Sequence, residues 1–263
     1  MNRTEPTKPN RFEPLFISAN PNLAEAVSGL SESPFVCANP HLSGAVLGLI
    51  ASGKVKTLEE AEKKVQLSQS VQTGQLELLE KLLKNSASAN DTGDSGFDDC
   101  LLTQAIWRGK IESVRVLLKF GADPNPSKGC PPLLQAISQL NVEAAKLLIA
   151  AGADVNSPSV GEQPELLSAC LSRNEEMIEL LLLHGAKVNR QGIAYVTKKH
   201  IVKDVTPLMI AAWLGKPKIV KLLLKSGANP SIKDAEGCNA LDWAKRCRSK
   251  KSRDQVSAIL SAE

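Results

Sequence analysis

Residues 121–125 read Gly-Ala-Asp-Pro-Asn, and this pentapeptide returns along the chain at nearly regular intervals. The later copies are Gly-Ala-Asp-Val-Asn at 152–156, Gly-Ala-Lys-Val-Asn at 185–189 and Gly-Ala-Asn-Pro-Ser at 227–231. Their glycines are separated by 31, 33 and 42 residues, and a leucine-rich stretch precedes each one. A period of roughly 20 to 50 residues is typical of stacked structural units, so the pattern indicates a repeat architecture.

A second motif keeps the same spacing. Residues 206–212 read Thr-Pro-Leu-Met-Ile-Ala-Ala, and weaker copies lie at 100–105, 131–136, 164–169 and 239–244. The leading leucines are separated by 31, 33, 42 and 33 residues and are, in order, Leu102, Leu133, Leu166, Leu208 and Leu241. Two independent motifs therefore give one period of about 33 residues.

Each unit is predicted to be a pair of helices. The apolar residues within 208–212 and within 219–223 both follow the i, i+3, i+4 spacing of one helical face. Thr206 is a suitable N-cap for the first helix, and Gly227 is a suitable end for the second. We expect the leucines before each glycine, such as Leu118, to lie in the core. A pair this short cannot bury its own apolar face, so it must stack on its neighbours.

These motifs resemble the ankyrin repeat, which carries Gly-x-Thr-Pro-Leu-x-x-Ala-Ala at its first helix and Leu-Leu-x-x-Gly-Ala-Asp-x-Asn after its second. A degenerate copy begins at Gly74, and residues 86–90 there take the place of the glycine motif. The resemblance covers residues 57–263 as about six repeats with atypical ends. It implies an all-α ankyrin-repeat solenoid of stacked helix-turn-helix units, whose first long helix starts with a capping box at Thr57.

The N-terminal residues lack this pattern. Residues 1–14 are predicted to be a disordered tail, and residues 15–56 a helical extension. The extension contains an internal duplication with an offset of 19 residues, in which 16–30 return as 35–49. Asn20 and Asn39 fit the N-caps of two short helices. These helices either cover the exposed face of the first repeat or form a mobile binding motif.

Residues 190–205 form a long insertion, which lengthens one interval to 42 residues. β-Branched residues on both sides of a polar tip predict a β-hairpin finger. The finger is either a tolerated surface insertion, since loop length costs little, or a contact for a partner through Tyr195 and Lys198.

Composition excludes several classes of protein. The chain of 263 residues has 43% hydrophobic, 23% charged and 3% aromatic residues and a net charge of +4. It has no apolar run of about 18 residues, so we expect no membrane span, and residues 1–10 are too polar for a secretory signal. Six scattered cysteines without C-x-x-C spacing are typical of reduced thiols in a cytoplasmic protein. Scarce aromatic residues argue against a surface that stacks nucleic-acid bases.

No residues are arranged for catalysis, metal binding or a cofactor. The three histidines are isolated, and no nucleotide-binding, hydrolase or zinc motif occurs. His184 fits a helix C-terminus, and Cys170 fits a small core residue. An acidic cluster is predicted to be a solvated face and comprises Glu162, Glu165, Glu175, Glu176 and Glu179. We therefore expect no enzyme activity, no cofactor and no small-molecule substrate.

Residues Lys245–Arg253 hold six basic residues and no acidic one. This run is either the solvated end of the last repeat or a signal for nuclear import or contact with an acidic partner. Direct nucleic-acid binding is disfavoured because no aromatic residues are interleaved with these basic residues.

The resemblance also implies where a partner binds. In ankyrin proteins the two residues before the glycine that ends the first helix line a concave groove. By register, these residues are Trp107, Arg108, Ser138, Gln139, Leu171, Ser172, Trp213 and Leu214. Leu140 and Arg173 replace the glycine in two repeats. The two tryptophan rings are either exposed in the groove as binding anchors or buried against a neighbouring repeat.

We therefore predict a non-catalytic protein–protein interaction module, monomeric on its own, that binds a partner protein through the groove and the finger. One alternative is a regulatory adaptor of a nucleic-acid-associated complex that uses the basic run. Another is a non-catalytic subunit of an enzyme assembly. The resemblance also places Asn125, Asn156 and Asn189 at a position that an asparaginyl hydroxylase can modify in animal relatives, and whether these three are modified stays open.

Overall fold

A computed structural model describes residues 26, 29–30, 33–85, 87–92, 100–127, 129–157, 163–197 and 200–262. The chain divides into two compact units, residues 1–69 and residues 70–263. The boundary predicted at residue 57 coincides with the start of a long helix, and the division falls inside that helix. The predictions for the tail 1–14 and for Asn20 lie outside the described residues.

The first unit contains helices α1 (Pro34–Ala38) and α2 (Ser43–Ala51), a 3-10 turn between them (Pro40–Leu42), and most of α3 (Leu58–Thr73). Its core is aliphatic and includes Val36, Val46, Leu49, Ile50, Ala61 and Val65. Glu60 N donates to Thr57 Oγ1 at 3.2 Å, so Thr57 caps α3 as predicted.

Asn39 is not the N-cap that its position before Pro40 indicated. It lies at the C-cap of α1, and its Nδ2 donates to Phe35 O at 3.1 Å. Phe35 O also accepts from the Asn39 backbone N–H at 2.9 Å, so Asn39 closes the end of α1 with both its backbone and its side chain. Ser33 caps the start of α1 instead, since its Oγ accepts from Val36 N at 3.2 Å.

The second unit begins with α4 (Leu76–Lys84) and continues as five helix pairs. The pairs are α5 (Leu101–Trp107) with α6 (Ile111–Lys119), α7 (Pro132–Ser138) with α8 (Val142–Ala150), α9 (Glu165–Ser172) with α10 (Glu175–Leu183), α11 (Pro207–Trp213) with α12 (Pro217–Lys225), and α13 (Ala240–Lys245) with α14 (Lys250–Leu260). The first helices pack side by side in one row from α5 to α13, and each packs on its own second helix. The predicted all-α solenoid is confirmed.

The five leading leucines occupy equivalent places in this row. Each is the second residue of its helix, and all but Leu241 are at most 3% exposed. In α6 the predicted core position is wrong by one residue: Leu117 is fully buried, whereas Leu118 is half-buried. The buried face of α6 runs through Val114 and Leu117, and the next residue points about 100° away from it.

Asparagine side chains connect each unit to the next. Asn125 Nδ2 donates to Gly152 O at 2.8 Å, and Asn125 Oδ1 accepts from Asp154 N at 2.8 Å. The same pair of bonds is made by Asn90, Asn156 and Asn189. Each amide thus satisfies one acceptor and one donor of the following loop, which holds neighbouring units in register. Asn90 shows that residues 86–90 are the equivalent of the glycine motif.

The insertion forms the hairpin that its β-branched residues predict. Strand β1 (Gly192–Thr197) pairs antiparallel with β2 (His200–Val205). Ala194 and Val202 are paired across the strands, and both are buried. One face of the finger is therefore part of the core, which distinguishes it from a loose surface loop.

Hydrogen bonds attach the base of the finger to the units on both sides. Arg190 Nη1 donates to Asn156 O at 2.7 Å, which belongs to the preceding unit. Ala235 N donates to Lys203 O at 3.1 Å, which connects β2 to the following unit. The finger therefore has a fixed orientation on the stack.

Candidate functional site

The predicted groove residues lie where the first helices end. Trp107, Ser138, Ser172 and Trp213 are the last residues of α5, α7, α9 and α11. Arg108, Gln139 and Leu214 are the residues that cap three of these helices, and Leu171 precedes Ser172 in the longer α9. The repeat therefore places all eight side chains at the C-terminal ends of their first helices, along one edge of the row.

The turn that follows each of these helices has the same backbone in all four units. Gly109 and Gly215 have φ values of 66° and 61°, and Leu140 and Arg173 at the equivalent places have 56° and 59°. A side chain in this left-handed region costs about 1–2 kcal/mol relative to glycine. Leu140 and Arg173 therefore keep the turn at a cost in stability, and their side chains are exposed at the helix ends.

Trp107 is exposed, not buried against a neighbouring repeat. Its side chain is 57% exposed, and the Arg108 guanidinium lies 4.5 Å from the centre of the ring. A cation over an indole face is attracted by the ring quadrupole. The pair therefore offers a large apolar surface with a charge already stacked on it.

Trp213 occupies the same register position but has a different environment. It is half-buried, and its ring meets the Trp243 ring edge to face at a centroid distance of 6.3 Å. Trp243 is fully buried, and its Nε1 donates to Asp234 Oδ2 at 2.7 Å. Trp213 therefore packs against the last helix pair with part of its surface, and the rest of it stays exposed. The repeat register alone could not separate the two tryptophans.

The remaining groove positions differ in exposure. Ser138 and Gln139 are exposed, whereas Leu171, Ser172 and Leu214 are half-buried. Leu140 was not among the predicted surface residues, although more than half of it is exposed. The signal was a leucine at a glycine position, since the left-handed turn points the side chain away from the core.

The finger presents a second exposed apolar surface. Tyr195 and Ile201 are paired across the strands, and both side chains are more than half exposed. Because side chains alternate along a strand, they lie on the face opposite Ala194 and Val202. Tyr195 was predicted as a contact from the sequence, whereas Ile201 was not. Lys198, the other predicted finger contact, lies outside the described residues.

Cys170 and His184, two residue types that can serve catalysis, occupy structural positions. Cys170 is fully buried, and desolvation raises the pKa of its thiol well above the usual range, which disfavours the nucleophilic thiolate. His184 is the C-cap of α10, and its Nδ1 donates to Leu180 O at 2.8 Å.

Glu165 corrects the prediction of a solvated acidic face. It is 1% exposed at the start of α9, whereas Glu175, Glu176 and Glu179 are exposed as expected, and Glu162 lies outside the described residues. The first position of these helices is buried in every pair, as in Pro132 and Pro207. The positive end of the helix dipole favours a carboxylate there.

Asp234, Glu236 and Cys238 form the one group of described side chains with metal-ligand character. Asp234 Oδ1 already accepts from Glu236 N and Cys238 N, both at 2.9 Å. The Arg246 guanidinium lies 3.1 Å from Cys238 Sγ and 3.4 Å from Glu236 Oε2. The group is therefore engaged in closing the loop before α13.

Comparisons with known proteins agree with this architecture. A family model described as ankyrin repeats (3 copies) matches residues 67–159 and again 166–260, well over half of the chain. The chain is 36% identical over 173 residues to ankyrin repeat and SOCS box protein 3 of Bos taurus, covering 64% of this chain and 31% of that protein. It is 29% identical over 142 residues to the ankyrin repeat and KH domain-containing protein mask-1 of Caenorhabditis elegans, covering 53% of this chain and 4% of that protein.

A shorter match is 47% identical over 55 residues to the E3 ubiquitin-protein ligase hecd-1 of Caenorhabditis elegans, covering 21% of this chain and 2% of that protein. The chain thus spans no more than 31% of the length of these relatives. Within the described ranges, no helix has both the length and the apolar character needed to cross a membrane.

Proposed function

The chain belongs to the ankyrin-repeat family, and from this premise we propose that it is a non-catalytic module that binds a partner protein through the ends of its first helices and through the finger. Ankyrin repeats are protein–protein interaction modules. The observation that carries the proposal is the exposed Trp107 ring with the Arg108 guanidinium stacked upon it. Tryptophan and arginine are the residues most enriched among those that dominate binding energy at interfaces.

The surface around Trp107 suits a partner of mixed character. Ser138, Gln139 and Leu140 lie exposed at the equivalent helix end of the next unit. The indole and Leu140 offer apolar area, and the Arg108 guanidinium and the Gln139 amide offer donors around it. This combination of an apolar centre with polar surroundings is typical of protein interfaces.

The stack is suited to binding with little loss of order. The asparagine bonds between units and the packing of the helices hold the units of the stack together before a partner arrives. Binding then avoids much of the entropy cost of ordering a loop. The attached base of the finger extends the same rigidity to Tyr195 and Ile201.

The test compares Trp107→Ala with Leu183→Ala. Partners recovered with the wild-type chain are identified, and binding of a purified partner is then measured by calorimetry. Trp107→Ala is expected to weaken binding by about 2 kcal/mol, roughly thirtyfold in Kd, since it removes an exposed anchor. Leu183 is an equally accessible apolar side chain, 82% exposed at the end of α10, and its truncation should leave Kd unchanged.

Equal Kd values for the wild type and Trp107→Ala, with unchanged helical circular dichroism, would refute binding of the partner through the groove. Trp213→Ala is not a suitable second probe of binding, because its contact with Trp243 makes loss of folding the expected effect. The circular dichroism measurement separates an effect on binding from an effect on folding.

A second candidate is a non-catalytic subunit of an enzyme assembly. The local match to a protein named as an E3 ubiquitin-protein ligase supports it. Recovery of ligase components as the main partners, with binding lost in Trp107→Ala, would favour this function over a free-standing adaptor.

We place the module in the cytoplasm, with nuclear import through Lys245–Arg253 as the alternative. All six cysteines lie in the described part of the chain, and no disulfide joins them there, which fits a reducing compartment. A fluorescent fusion of the chain should show which compartment it occupies.

A further inference from the structure

Ion pairs join the outer faces of the second helices along the first part of the stack. Lys119 Nζ lies 3.6 Å from Glu80 Oε1, between α6 and α4. Arg115 pairs with Glu143 between α6 and α8. Lys146 Nζ lies 2.8 Å from Glu176 Oε1, between α8 and α10. The charges on this face are therefore balanced by the neighbouring unit.

Helix α12 departs from this arrangement. Its outer residues are Lys218, Lys221 and Lys225, all exposed, and their spacing of three and four places them on one side of the helix. Glu176 and Glu179 lie at the positions of α10 that correspond to Lys218 and Lys221. Within the part of the chain that the structure describes, none of the three lysines makes an ion pair. Like charges at this spacing repel one another in the free protein.

The neighbouring helix extends the positive charge. Helix α14 packs against α12, and a Cβ added at Gly215, just before α12, would lie 2.8 Å from Ser252 Cβ. The first turn of α14 thus lies beside the start of α12. It carries the exposed Lys250 and Lys251, which also make no ion pair among the described residues. We call Lys218, Lys221, Lys225, Lys250 and Lys251 the lysine face.

We infer that the lysine face binds an acidic segment of a partner protein, one with several Asp or Glu side chains. The inference rests on the proposed protein-binding function but uses a different surface from the groove. Lys218 and Lys225 are seven residues apart, about 10 Å along the helix, which matches the length of a short peptide. Neither α12 nor α14 carries an aromatic side chain on which a base could stack, which disfavours single-stranded nucleic acid.

The probe is a fluorescently labelled decaglutamate peptide, and its binding to the full chain is followed by fluorescence anisotropy at several salt concentrations. The wild type should bind the peptide at low salt and lose it as salt rises. The variant Lys218→Glu with Lys221→Glu and Lys225→Glu should bind at least about tenfold more weakly, because three attractions become repulsions.

The matched control carries Lys56→Glu, Lys81→Glu and Lys187→Glu, which change the net charge equally at exposed lysines elsewhere. Its Kd should stay within about twofold of the wild type. Should the first variant unfold, as judged by circular dichroism, the corresponding triple Lys→Gln variant replaces it. This variant should bind the peptide at least about threefold more weakly than the wild type.

Three results would overturn the inference. They are no binding of the peptide at low salt, equal weakening in the lysine-face and control variants, and tighter binding of a mixed-sequence DNA duplex than of the peptide. Trp107→Ala should leave peptide binding unchanged, so failure of the groove proposal and failure of this one give different results.

Discussion

Gly109, Leu140, Arg173 and Gly215 end the first helices of four successive units with the same left-handed backbone. Two of them carry side chains, so the stack imposes the turn even where the residue disfavours it. The left-handed turn could not be predicted from the sequence in the two repeats that lack the glycine. There the conformational preference of the residue disfavours the turn, whereas the surrounding packing favours it. The structure shows that the packing prevails.

Reciprocal substitutions test this strain. Arg173→Gly should raise the free energy of unfolding by about 0.5–1 kcal/mol, since relief of the left-handed strain exceeds the added chain entropy of glycine. Gly109→Ala should lower it by about 1 kcal/mol, and no atom lies within 4 Å of the added Cβ, so only the backbone contributes. Urea denaturation measures both, and a destabilised Arg173→Gly would contradict the account.

The helices and the finger could be predicted from local patterns, because apolar spacing and β-branched residues act within a few positions. The asparagine bonds could not, although Asn125, Asn156 and Asn189 were visible as a repeated position. Their partners lie in the next unit, 27, 29 and 38 residues further on. Burial of Glu165 was missed for the same reason, since it depends on what surrounds the start of α9.

Asn156→Ala tests the bonds between units. It removes the Asn156 Nδ2 donor to Gly185 O and the Asn156 Oδ1 acceptor for Lys187 N. The free energy of unfolding should therefore fall by about 1–2 kcal/mol. Hydrogen exchange at the Lys187 amide should also become faster. Asn141→Ala is the matched control, because Asn141 caps α8 within its own unit through Ala144 N. An unchanged exchange rate at the Lys187 amide in Asn156→Ala would show that the bond does not stabilise the contact between the units.

At the scale of the whole molecule, a regular row of helices carries surfaces that are not regular. Trp107 is exposed near one end of the row, whereas Trp213 is partly covered by the last helix pair through Trp243. The sequence placed both tryptophans at one register position, and no local pattern could show that a distant ring covers one of them. Binding capacity is therefore expected to vary from unit to unit, although the backbone repeats.

The most direct test is hydrogen–deuterium exchange of the full chain, free and bound to a purified partner. Binding through the helix ends predicts slower exchange in the bound state at residues 107–109 and 138–140, where Trp107 and Leu140 lie. The outer helix α10 should exchange at the same rate in both states. Protection confined to the second helices α6, α8 and α10, with exchange at residues 107–109 unchanged, would contradict binding through the helix ends.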